Sequence, residues 1–210
     1  MLNKKKALRK IIKVRVSAIS AEEKAKREKL LLDNLFSMPE FLDAKSVMLF
    51  ANLPDEIDTF SLIDKCIAMG KKVYLPVING DDMTACEFKG EYKIGKYDIK
   101  EPVIKQLGVR SEELGVNGLV TDSRDNACIV RNSDTEPVEV SLKEHFNFIL
   151  VPGVAFSPIG YRLGRGKGYY DKFLSKYTNL FTVGVCFREQ FYLDIPREPH
   201  DVPMNKVLVI

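Results

Sequence analysis

Leu8, Ile11, Ile12, Val16 and Ile19 recur at intervals of three and four residues, which draws one apolar stripe along a helix over about 4–18. The other face of that helix carries Lys4, Lys5, Lys6, Arg9, Lys10, Lys13 and Arg15. Ser20 followed by Glu23 has the spacing of a capping box, so a second helix starts there. It ends before Met38-Pro39, because proline disfavours helical backbone in the residue preceding it. The apolar run 47–51 predicts a buried strand, 52–56 a loop, and 59–69 a third helix with Gly70 as its C-terminal cap. A second strand is predicted over 73–77. Strand, helix and strand at this spacing read as a right-handed βαβ unit with parallel strands.

The middle of the chain is less regular. Residues 84–88 predict a strand and 92–102 an ordered loop, while 118–121, 127–131 and 138–142 predict short antiparallel strands between turn residues. The pattern strengthens again with a strand over 148–151, a Gly-rich loop, a helix over about 169–176, a strand over 181–187 and a last short strand over 207–210. The predicted fold is α/β: an open, mostly parallel sheet with helices on both faces, three-layered and Rossmann-like, with an added short β region in mid-chain. A length of 210 residues suits one domain spanning 1–210.

Composition narrows the class. Hydrophobic residues make up 45% and charged residues 29%, the balance of a soluble folded protein. The net charge of +3 is too small to indicate a nucleic-acid binder by itself. The basic N-terminal face suits either phosphates or plain solvation. Cys66, Cys86, Cys128 and Cys186 lie far apart with no CxxC pair, which argues against a zinc site and for reduced, buried thiols. No apolar run reaches the roughly 18 residues of a membrane span. The basic start lacks the apolar core of a secretory signal. A cytoplasmic protein without a membrane partner is expected.

The chemistry concentrates in residues 160–171, GYRLGRGKGYYD. In open α/β sheets ligands bind beyond the carboxyl ends of strands. A helix N-terminus there offers free N–H groups to an anion. Gly164, Gly166 and Gly168 let backbone approach a ligand closely. Arg162, Arg165 and Lys167 place three cations within six residues, an arrangement suited to phosphate. The spacing fits neither the Walker A loop nor the dinucleotide fingerprint. Tyr169 and Tyr170 can stack on a planar ring or staple the helix to the core. Asp171 can hold Mg²⁺, serve the helix dipole or pair with Arg165, and local sequence leaves these open.

These residues, with Lys5-Lys6-Ala7-Leu8-Arg9, Asp55-Glu56-Ile57-Asp58-Thr59, Pro152-Gly153-Val154-Ala155-Phe156 and His200-Asp201-Val202-Pro203-Met204, resemble the 5-formyltetrahydrofolate cyclo-ligase family, also called 5,10-methenyltetrahydrofolate synthetases. The resemblance runs along nearly the whole chain and is most specific in RLGRGKGYYD. It implies ATP-dependent conversion of 5-formyltetrahydrofolate to 5,10-methenyltetrahydrofolate, with ADP and phosphate released. It implies that Lys5, Lys6 and Arg9, together with Arg162, Leu163, Gly164, Arg165, Gly166, Lys167, Gly168, Tyr169 and Tyr170, surround ATP. Ala51, Leu53, Glu56, Tyr169 and Tyr170 would meet the folate, with Glu56 on the N–H groups of the pterin ring. Asp171 and Asp201 would hold Mg²⁺, and Arg165 and Lys167 would be the catalytic cations.

The resemblance further implies ATP and 5-formyltetrahydrofolate as partners, no nucleic acid, and a monomer. Ser157 and Asn205 stand where that family often has acidic residues. The segment 103–142 is longer than usual for it and reads as an insertion. His200 receives no role. Two other readings remain at this stage: an ATP-using enzyme of the same fold with another substrate, since fold does not choose the acceptor, and a non-catalytic RNA-binding module.

Overall fold

The computed structural model describes residues 2–94, 100–103, 120–122, 127–129, 146–177 and 179–210. Of the predicted apolar stripe, Ile12 and Val16 of α1 (Leu2–Ser17) are buried, Leu8 and Ile19 pack partly buried against the core, and Ile11 is exposed. Ser20 caps α2 (Ala21–Phe36) by accepting the Glu23 N–H at 3.2 Å. Pro39 opens the short α3 (Pro39–Leu42), where its missing N–H costs nothing.

Strand β1 (Ser46–Met48) leads through a loop to α4 (Phe60–Ala68) and back to β2 (Lys72–Asn79). Gly70 ends α4 with a φ of 75°. The hairpin partner β3 (Asp82–Glu87) follows. Residues 92–102, read from sequence as a loop, instead hold β4 (Tyr92–Ile94) and β5 (Lys100–Pro102), paired antiparallel. Phe60 and Phe88 pack on the Tyr92 ring and anchor the start of this hairpin. β6 (Val120–Asp122) and β7 (Ala127–Ile129) form a second antiparallel pair near the predicted positions. The predicted strand over 138–142, and most of the proposed insertion at 103–142, fall outside the described residues.

β8 (Phe148–Val151) precedes a small antiparallel pair, β9 (Ala155–Phe156) and β10 (Arg162–Leu163). α5 (Tyr169–Leu174), β11 (Phe181–Cys186) and β12 (Lys206–Val209) complete the described elements. The six-stranded sheet has the order β12-β11-β8-β1-β2-β3. Its strands pair in parallel apart from β2–β3.

Side-chain alternation divides the apolar residues between the two faces. Val47, Val73, Leu75, Phe148, Leu150, Val183 and Val185 join a core under α1 to α4. Met48, Tyr74, Ile149, Val151 and Cys186 join Phe173 and Leu174 of α5. Both faces of the sheet are covered, which explains the continuous apolar runs that mark its central strands. Burial pushes the Cys66 and Cys186 thiols up to about 12, so they behave as small hydrophobes. Among the described residues no helix is long and apolar enough to cross a membrane.

A 3-10 turn after β11, Arg188–Gln190, ties the sheet to the loop beyond β8. Gln190 is buried; its Oε1 accepts the Phe187 N–H at 2.9 Å, and its Nε2 donates to Gly153 O and Val154 O at 3.1 Å each. Gln190→Leu keeps the volume and strands three backbone groups. The expected loss is about 2–4 kcal/mol, read as a lower urea midpoint at unchanged slope. An unchanged midpoint would mean that water replaces the amide at no cost.

Candidate functional site: a cleft at the carboxyl ends of the strands

β1 is shorter than the predicted strand over 47–51. Leu49 still donates its N–H to Tyr74 O at 2.9 Å, but residues 50 and 51 run past the end of the sheet. Phe50 and Ala51 thereby become one wall of a cleft of about 490 Å³. Pro76, Ile78 and Met83 of the β2–β3 hairpin and Tyr169 and Tyr170 of α5 add further apolar and aromatic wall. Leu53, Glu56, Arg162, Gly164, Arg165, Lys167, Gly168 and Asp171 bring backbone and charge to the same space.

The cations do not share one environment. Arg162 is buried on β10, with its Nη2 2.7 Å from Asp171 Oδ1 and its guanidinium 5.4 Å over the Tyr170 ring. Its Nε and Nη2 have no aligned hydrogen-bond acceptor, so the Asp171 contact is an ion pair with donors left over. Gly153 makes room for this arginine: a Cβ there would lie 2.7 Å from the Phe156 ring and 3.0 Å from Arg162 Cγ. Arg165 is half-exposed, and its Nη2 lies 2.7 Å from Asp55 Oδ1 and 3.0 Å from Glu56 Oε1. Its Nε also donates to Glu56 Oε1, at 3.2 Å. Glu56 Oε2 accepts the Leu53 N–H at 3.0 Å. Burial alone would raise the Asp55 carboxyl, but the hydrogen bond and charge of Arg165 outweigh it and hold the group below its ordinary value. Lys167 is exposed at the cleft and makes no ion pair among the described residues.

The two tyrosines divide the roles that sequence left open. The Tyr169 hydroxyl donates to Gly80 O at 3.3 Å, stapling α5 to the β2–β3 turn while the residue still lines the cleft. Tyr170 lies beneath Arg162; burial, and then Glu56, keep its hydroxyl protonated well above the ordinary range, against the opposing charge of Arg162. α5 has six residues, ending short of the predicted 176, and Gly168 caps it in the left-handed region without a side-chain bond. So short a helix carries little dipole, which leaves the positive charge here to the side-chain cations.

The N-terminal helix reaches the same end of the sheet. Arg9 Nε donates to Gly164 O at 2.8 Å, and Arg9 and Lys13 line a second cavity of about 150 Å³ beside the cleft. Lys5 lies 3.2 Å from Glu198 and 3.5 Å from Asp201. Asp201 Oδ2 also accepts the Glu198 N–H at 2.7 Å, and the adjacent Val202 N–H points to Asp171 Oδ1 at 3.5 Å. Lys6 is exposed and Leu163 is buried, and neither lines the cleft.

Asp171 therefore pairs with Arg162, not with Arg165. Among the described residues no group of three or more His, Cys, Asp or Glu is gathered for a metal. Asp171 and Asp201 are instead each charge-balanced by a cation and linked through Val202. That donor set fits Mg²⁺ arriving with phosphate oxygens better than a resident ion in an all-protein cage.

Sequence reasoning missed Asp55, Phe50 and Met83. Asp55 lies in a quoted motif, but its partner is 110 positions away. Ser157 and Asn205 have structural partners: Ser157 Oγ accepts the Tyr161 N–H at 3.1 Å, and Asn205 Oδ1 accepts the Thr182 N–H at 2.7 Å.

The chain is similar along its length to characterised sequences. The 5-formyltetrahydrofolate cyclo-ligase from Mus musculus is 27% identical over 97% of this chain and 92% of its own length. The probable 5-formyltetrahydrofolate cyclo-ligase from Schizosaccharomyces pombe is 30% identical over 81% of this chain and 78% of its own. The solved structure of Aquifex aeolicus 5,10-methenyltetrahydrofolate synthetase superposes with a TM-score of 0.71 at 28% identity, covering 98% of this chain and 89% of that one. The profile of the 5-formyltetrahydrofolate cyclo-ligase family matches residues 1–210, and the chain belongs to that family.

Proposed function

We propose that the chain closes 5-formyltetrahydrofolate to 5,10-methenyltetrahydrofolate at the expense of ATP. The observation that carries this reading is the composition of the cleft, where aromatic and apolar walls meet Arg162, Arg165, Lys167 and Glu56 in one space. A planar, uncharged ring and a polyanion are the two ligands such a surface suits.

A formamide oxygen leaves poorly. Phosphoryl transfer from ATP to that oxygen releases ADP and leaves an iminium phosphate; the neighbouring folate N–H nitrogen attacks the activated carbon, and its proton is lost as the C–O bond breaks and phosphate departs. The protein's work is to position both ligands and to balance charge. In this reading Glu56 accepts from ring N–H groups. Lys167, exposed on the loop, follows the transferred phosphoryl group, and Arg9 and Lys5 approach from α1. Phe50, Tyr169 and Tyr170 keep water from the ring. Asp171 and Asp201 would share Mg²⁺ with the nucleotide, which would neutralise charge on the phosphate oxygens.

Purified protein is expected to form the absorbing methenyl product only with both ATP and Mg²⁺. Lys167→Ala, an exposed change, should cut kcat by about 10²–10³-fold with stability unchanged, the size of losing one charged group on the transferred phosphoryl. Absence of product in wild-type protein under these conditions overturns the reading. ATP turnover driven by a different acceptor would assign the same site to another substrate.

A further inference from the structure

Arg165 holds two carboxylates at once, and both come from the loop between β1 and α4. The contact has a position as well as a strength. The large cleft and the smaller cavity share Glu56, Gly153 and Arg165 in their linings. The Arg165–Glu56 pair therefore stands as a partition, with ring-sized apolar space on one side and Arg9 and Lys13 on the other. Glu56 Oε1 is filled, since it takes both Nε and Nη2 of Arg165, while Oε2 takes only the Leu53 N–H. A ligand that donates to Glu56 Oε1 competes with Arg165 for that oxygen. An anion that takes Arg165 must displace the carboxylates.

The geometry points to Arg165 as an exchange element that couples the two ligands, with Asp55 as the positioning residue that retains it between partners. This inference rests on the function proposed above. A folate ring donating to Glu56 Oε1 leaves Arg165 paired with Asp55, a half-exposed contact of the kind that contributes little. Nucleotide phosphate then takes the guanidinium at low cost. Each ligand thus removes an obstacle to the other, and the coupling is reciprocal by thermodynamic necessity. No covalent step is involved.

The test is calorimetric binding of the Mg²⁺ complex of β,γ-imido-ATP to the full chain, with and without saturating 5-formyltetrahydrofolate. Wild-type protein is expected to bind the nucleotide about tenfold tighter with the folate present. Arg165→Gln is expected to bring that ratio close to one while both ligands still bind. Asp55→Asn is expected to tighten nucleotide binding about threefold without folate, since one competitor for Arg165 is gone, and to keep most of the ratio. A role confined to stability would shift unfolding midpoints and leave the ratio alone.

A wild-type ratio of one overturns the inference. So does a ratio that survives Arg165→Gln, because direct contact between the ligands would then supply it. Both outcomes leave the proposed reaction standing. Failure of wild-type protein to bind the folate overturns the reaction and the inference together.

Discussion

Arg162→Ala is expected to lower stability by about 3–5 kcal/mol and to abolish activity in whatever fraction still folds. The substitution leaves Asp171, only 16% exposed, without the cation 2.7 Å away. It also empties the space over the Tyr170 ring that the arginine fills, adding a cavity cost. Two variants separate these effects. Arg162→Met restores volume and leaves the carboxylate unpaired. Arg162→Met combined with Asp171→Asn removes both charges and should recover most of the lost urea midpoint, since replacing a whole buried pair is far cheaper than breaking it. Activity should not return with stability, and kcat in the double variant is expected to stay at least about 10²-fold below wild type. A stable double variant with near-normal turnover would reduce Arg162 to packing.

Gly160→Ala should be nearly as damaging, although the residue does not line the cleft. Gly160 has a φ of +86°, and a Cβ there would lie 2.3 Å from Met204 O and 3.1 Å from Met204 N. The obstacle is backbone, itself fixed by the Met204 N–H donating to Gly160 O at 2.9 Å. Left-handed strain and overpacking together cost about 3–5 kcal/mol, a fall in Tm on the order of 10 °C for a chain of this size. Gly70→Ala is the control: its φ is +75° with nothing within 4 Å of the added carbon, so only the strain remains. About 1 kcal/mol is expected there. Equal losses for the two would show that φ, not the Met204 contact, sets the cost.

Much of the scaffold was legible because periodicity reports burial directly. The Ser20 cap and the apolar runs of β2, β8 and β11 fall close to where spacing put them, while β1 ends three residues early and Ile11 of the α1 stripe is exposed. The reversal over 92–102 was harder, since Tyr92, Lys93 and Ile94 alternate too briefly to separate a strand from a loop. In the site, sequence located the cations but not their partners. Arg162 and Arg165 look alike in a Gly-rich run, yet β10 pairs with β9 and turns Arg162 inward, toward α5. Arg165, beyond the end of that strand, falls to the acidic loop after β1 because β8 and β1 are neighbours in the sheet. Strand order decides that assignment, and no local spacing encodes it.

The contacts of α1 bear on how the protein comes to be made. Arg9 bonds to a carbonyl 155 positions away, and Lys5 to a carboxylate 196 positions away. During synthesis α1 emerges well before the segments around Gly164 and Asp201, and it waits for them before it can pair these two cations. Local contacts reward the chain early and these reward it late. The basic helix therefore spends that interval with these cations unpaired, and this side of the cleft is completed late in folding.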